Sequence, residues 1–135
     1  MEVRLLIRNT TSEPLLFSTF DTFRIMLKDS KGHAVEAHGG RDETLRTKPV
    51  VIDAGAKYCL FGKAMLSWND AKTRKFTYYD GTGMVLSFFP LASGEYTLQF
   101  RCKVSDKSST QDGDGTIKRW TGNAVTNEVR FKIVD

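Results

Sequence analysis

The stretch HAVEAH, His33 to His38, sets two imidazoles and the carboxylate of Glu36 close together, and it is the part of this chain that most resembles a metal site. On a strand Glu36 and His38 share a face, but His33 stands an odd number of residues from His38 and falls on the other. On a helix the two histidines diverge by about 140°. Neither geometry aims three ligands at one ion, so the stretch reads as exposed strand and turn. Asp112 and Asp114, in DGDG, are spaced like the start of a calcium loop, but no further oxygen ligand or closing glutamate follows where such a loop requires them. This too reads as a turn. Cys59 and Cys102 fit no zinc pattern, which takes paired ligands at close spacing. A nucleophile activated by histidine would have to use His33 or His38, and no Gly-x-Ser-x-Gly elbow occurs. The expectation is a chain without a metal, a cofactor or catalytic residues, and not an enzyme.

The glycines of YYDGTGMVLSFFPL, Tyr78 to Leu91, pose a similar choice between ligand loop and turn. A phosphate cradle needs a helix N-terminus directly after the glycines, whereas an apolar run ending at Pro90 follows them. Asp80 to Gly83 therefore reads as the closure of a hairpin. Asn9-Thr10-Thr11 has the form of a glycosylation sequon and reads as a turn cap. Among the aromatic residues, Trp68, Tyr78, Tyr79 and Trp120 stand beside turn signals, where amphipathic rings contact proteins or sugars. They are the candidate partner-binding residues; the alternative is that they plug the ends of a β-fold.

The elements that must carry these residues show in the alternation of apolar and polar positions. Val3, Leu5 and Ile7 alternate with Arg4 and Arg8, and Phe23, Ile25 and Leu27 with Arg24 and Lys28. Tyr96, Leu98, Phe100 and Cys102 alternate with Thr97, Gln99, Arg101 and Lys103, and Val129, Phe131 and Ile133 with Arg130 and Lys132. Period two marks half-buried strands. Between them lie NTTSEP, DSKG, DAG, DGTG and a polar tract from Ser105 to Gly115, rich in residues that bend the backbone. The tract from Lys103 to Lys118 is expected to be a mobile loop. Lys63 to Asp70 is the best helical candidate, and at most one short helix is expected. Many short strands in one domain-sized chain point to an all-β fold over 1–135: a single antiparallel two-sheet immunoglobulin-like sandwich, with a barrel as the alternative.

Composition narrows the partners. Twenty Lys plus Arg against 16 Asp plus Glu give a formal charge of +4. The basic residues are spread along strand faces rather than clustered, which argues against nucleic acid. No apolar run reaches the roughly 20 residues of a membrane-spanning helix. MEVRLLIRN lacks the parts of a signal peptide, so the cytoplasm is slightly favoured over secretion with a removed leader. Oligomeric state is left open.

LLIRNTTSEPLLF, FRIMLKDSKG, VVIDAG and SGEYTLQF, spanning Leu5 to Phe100, together resemble the immunoglobulin-like sandwich modules of bacterial proteins. More narrowly, FSTFDTFRIMLKDSKG with the later Gly-x-Tyr strand is similar to the bacterial intracellular proteinase inhibitor (BsuPI) family. WTGNAVTNEVRF, Trp120 to Phe131, looks like the closing strand of secreted bacterial sandwich domains. The resemblance rests on strand and turn patterns, which speak to fold more than to function. It implies a non-catalytic binding or accessory module that engages a protein or glycan through end loops or a sheet edge. The alternative it implies is a proteinase inhibitor presenting Val35 to Pro49 or Trp68 to Gly83.

Alternation turns Cys102 inward, while KYCLFG leaves the facing of Cys59 open. Two free thiols are expected. Denaturation without reductant followed by thiol titration should count two per chain, and a count of zero in a monomer would mean a disulfide instead.

Overall fold

The computed structural model describes residues 2–19, 22–42, 47–104 and 117–134, and over these the chain is all-β. In chain order the strands are β1 (Glu2–Arg8), β2 (Leu15–Phe17), β3 (Phe23–Asp29), β4 (Ala37–Arg41), β5 (Val50–Ile52) and β6 (Lys57–Trp68). They continue with β7 (Arg74–Tyr79), β8 (Met84–Leu91), β9 (Gly94–Val104), β10 (Gly122–Val125) and β11 (Val129–Ile133). β1, β6, β7, β8 and β4 form a five-stranded sheet in that order. In a second sheet β9 is central, flanked by β3 on one side and by β10 and β11 end to end on the other. β2 and β5 pair in a small third sheet, and all pairings between strands are antiparallel.

The inner faces of the two large sheets share one core. Leu5, Ala64, Phe76, Tyr78, Met84 and Phe88 come from the first, and Ile25, Leu27, Tyr96, Leu98, Phe100 and Ile133 from the second. These are the positions that alternation turns inward, because the period of two sends every second side chain to the same face. A smaller cluster of Phe17, Ile52 and Cys102, with Phe23, Tyr58 and Trp120 against it, lies beside the small sheet. Gly62 is needed where the main core is tightest: a Cβ there would come within 2.5 Å of the Tyr78 ring.

Asp80 to Gly83 is the hairpin turn between β7 and β8, with Gly81 and Gly83 at positive φ. Asp80 organises it. Its Oδ1 accepts the amide N–H groups of Thr82 at 2.7 Å and Met84 at 2.9 Å, and its Oδ2 accepts the Thr82 hydroxyl. Arg41, at the end of β4, donates through NH2 to the same Oδ2 at 3.0 Å and through NH1 to Thr82, in a largely buried ion pair. The turn is thereby clamped to the sheet edge.

Several expectations change. Lys63 to Trp68, the core of the helical candidate, is the end of β6, because its pairing with β7 satisfies the backbone. Val129, expected inward, is 52% exposed, since no strand covers it. β8 also runs through Pro90 to Leu91 rather than ending at the proline. The polar tract from 105 to 116, with DGDG, lies outside the described residues.

Phe100→Ala should lower stability to urea by roughly 3–5 kcal/mol and Lys132→Ala by no more than about 0.5 kcal/mol. Asp80→Ala should cost about 3 kcal/mol, because it leaves Arg41 charged and largely buried without its carboxylate. Equal losses at Phe100 and Lys132 would reverse the assigned faces.

Candidate functional site: an open groove between two sheet edges

Among the described residues β1 pairs with β6 on one side only. Just past its end, the Asn9 amide donates to the Ala56 carbonyl at 3.0 Å, on the β6 side. Antiparallel alternation then directs the N–H and C=O groups of Arg4, Leu6 and Arg8 to the other side, where among the described residues no strand receives them. Asn9 itself is buried and anchors this end. Its Nδ2 donates to the carbonyls of Glu13 at 2.8 Å and Ile52 at 2.9 Å, while its Oδ1 accepts from the Thr11 amide and hydroxyl. The Asn-Thr-Thr stretch is a turn cap, as its sequence indicates.

Across from β1 runs the edge made by β10 and β11. Thr126 divides it: the Thr126 N–H donates to the Phe100 carbonyl at 2.9 Å, and the Thr126 Oγ1 accepts the Phe100 N–H at 3.1 Å. This edge is therefore irregular, whereas β1 holds an unbroken register over all seven residues.

Between the two edges lies a groove of about 520 Å³. Phe17, Phe23, Leu98, Phe100 and Cys102 are among its lining, with Trp120, whose ring centroid is 5.6 Å from that of Phe17. Leu6 at 59% exposure and Val125 at 60% stand on its rims. Residues from both faces of β1 line it, so the strand borders the groove with its backbone edge. Arg4 and Arg8 are among the lining, and no carboxylate is. Burial pushes the Cys102 thiol up to about 12, which keeps it neutral and unreactive. Such a site can hold apolar side chains and offer hydrogen bonds along one edge.

Of the four aromatic candidates, Trp120 lines this groove and the other three stand apart. Trp68 ends β6, 61% exposed, with the Arg74 guanidinium over its ring. Tyr79 is exposed on the outer face of the five-stranded sheet. Tyr78 is a core residue rather than a surface contact: 6% exposed, edge-on to Phe100 at 5.4 Å, its hydroxyl pushed up to about 12 by burial and then by the charge of Asp80.

In HAVEAH, His33 Nδ1 lies 3.4 Å from Asp29 Oδ2, while His38 packs its ring on Phe89. Hydrogen bonds from the backbone, led by that of His33, hold the Asp29 carboxyl below its usual range. Among the described residues no three His, Cys, Asp or Glu side chains gather where they could hold a metal. Cys59 is half-buried and Cys102 buried, both free thiols. Sequence reasoning missed Phe17, Phe23, Leu6 and Arg8 as groove residues; the available signal was the regular alternation of β1 facing the weakly patterned GNAVTNEV. The chain matches no family model, no curated protein and no solved structure.

The folded chain keeps its Cys102 and Tyr78 protons above pH 9 and 10, the ordinary values at which the unfolded chain releases them. Stability should therefore be full below pH 9 and fall progressively towards 12. Melting temperatures across that range check this, and Cys102→Ala should remove the part of the decline that begins near pH 9.

Proposed function

We propose that this chain is a non-catalytic binding module, an immunoglobulin-like β-sandwich that takes up an extended segment of a partner protein by adding it as a strand beside β1. The observation that carries this reading is a regular strand with one unpaired edge bordering a 520 Å³ groove lined by buried aromatic and aliphatic residues. In strand addition the backbone supplies affinity, and alternate side chains entering an apolar cleft supply specificity. Both parts are present here. Exposed edges are otherwise blunted by bulges, proline, short length or charge; β1 has neither bulge nor proline over its seven residues, and its charges are Glu2, Arg4 and Arg8.

The alternatives draw less support. Of the two segments an inhibitor would present, Val35 to Pro49 includes 43–46, which lie outside the described residues, and Trp68 to Gly83 is a hairpin that starts with a tight turn in which the Asn69 N–H donates to the Thr73 carbonyl and Asp70 accepts from Lys72 and Thr73. A turn closed on itself presents no extended segment to a protease cleft. A sugar stacking on Trp68 would have to share its ring with Arg74. Among the described residues no helix is long and apolar enough to cross a membrane.

Peptides of about ten residues selected from a random displayed library should bind and slow amide exchange at Arg4, Leu6 and Arg8, which lack partners on the groove side. Leu6→Pro removes an N–H that the β1 to β6 ladder does not use, so it should abolish binding and leave the melting temperature nearly unchanged. Should that variant unfold, N-methylation of the peptide backbone provides the same test. Binding that survives N-methylation at every position, or that leaves the β1 amides unprotected, would eliminate strand addition.

A further inference from the structure

We infer that the segment accepted by the groove alternates apolar with acidic residues and sets a carboxylate opposite Arg8, whose charge Lys57 reinforces from the next strand. This rests on the strand-addition reading and adds the chemistry of the partner. Arg8 and Lys57 are direct cross-strand partners at the Asn9 end of β1. Both are exposed, and both project from the outer face, because Ile7 and Tyr58 beside them take the inner one. Like charges placed directly opposite oppose strand pairing. Among the described residues no carboxylate lies within ion-pair distance of either. Arg4, two positions before Leu6 on the same face, differs: Glu2 already holds it at 3.2 Å. The groove thus has a compensated arginine towards one end and at the other an uncompensated one, Arg8, with Lys57 behind it on β6.

A strand laid along β1 continues the alternation. Its inward side chains come to rest over Phe17, Phe23, Leu98 and Phe100, where only apolar groups are held without a desolvation cost. Its outward side chains stand beside Leu6 and Arg8, roughly 5 Å away between Cβ atoms. At the Arg8 position a carboxylate meets the Arg8 guanidinium directly, with the Lys57 charge one strand further on, and on the opposite rim it meets the uncharged Val125. A second copy of this chain makes a poor occupant, because its own β1 would bring two arginines and one carboxylate, Glu2, which Arg4 already holds, into a groove that has two arginines and no carboxylate. The occupant is therefore an extended acidic and apolar segment of a different protein.

The probes are three synthetic peptides of about ten residues, long enough to pass β1, with Val and Leu at alternate positions and Glu, Ser or Lys between them. Binding is read from Trp120 fluorescence and from the β1 amides. The Glu peptide should bind roughly five- to tenfold more tightly than the Ser peptide at low salt, with the Lys peptide weakest. That preference should shrink towards unity at about 0.5 M salt, since exposed charges are screened. Arg8→Gln with Lys57→Gln should erase the preference for Glu, so that the variant binds the Glu and Ser peptides with equal affinity, without lowering the melting temperature. Equal affinity of the wild type for the Glu and Ser peptides overturns the acidic partner and leaves strand addition standing. Failure of all three to protect the β1 amides overturns strand addition itself. A concentration-dependent dimer that shields β1 without any peptide replaces the proposed partner with a second copy.

Discussion

The contact of Tyr78 with Phe100 across the two sheets is the interaction on which the rest of the molecule depends. It joins a residue of β7, in the middle of the five-stranded sheet, to one of β9, the central strand of the other. The approach is possible because β6 contributes only Gly62 beneath the Tyr78 ring. Around it Phe76, Phe131 and Tyr96 stack in sequence, so the two sheets are held at a fixed spacing by aromatic rings rather than by hydrogen bonds. Phe100 also borders the groove, so the same ring belongs to the core and to the candidate binding surface.

That double role sets the physical character of the site. The groove is a part of the core left without a covering strand, and its apolar lining can be hydrated only poorly. Along β1 the backbone groups directed into the groove have no strand partner among the described residues, while Asn9 and its carbonyl contacts anchor the adjoining turn. A preformed cleft with a fixed edge loses little conformational freedom when a segment enters it. The far end of the five-stranded sheet is handled in the opposite way, because Arg41 on β4 is locked to the Asp80 turn in a largely buried pair. One edge is secured by charge and the other is open, and the difference follows from where the carboxylates fall along the chain.

From the sequence alone, the strand content and most facings were legible. Tyr96, Leu98, Phe100 and Cys102 are buried as the alternation requires, because the pleat of a strand fixes side-chain direction locally. The turn at Asp80 to Gly83 was legible for a similar reason: glycine at positive φ and an aspartate that accepts its own backbone amides are local chemistry. Other features needed the tertiary structure. Alternation gives facing but not which strand neighbours which, so it could not show that β1 ends one sheet or that Val129 faces an uncovered groove. It puts Tyr78 and Tyr79 on opposite faces but does not say which face of RKFTYY is covered, and the structure buries Tyr78 and leaves Tyr79 to solvent. The pairing of Arg8 with Lys57 and the convergence of Phe17, Phe23 and Trp120 join residues far apart in the chain, and such proximity comes from sheet order and register, which no local pattern encodes.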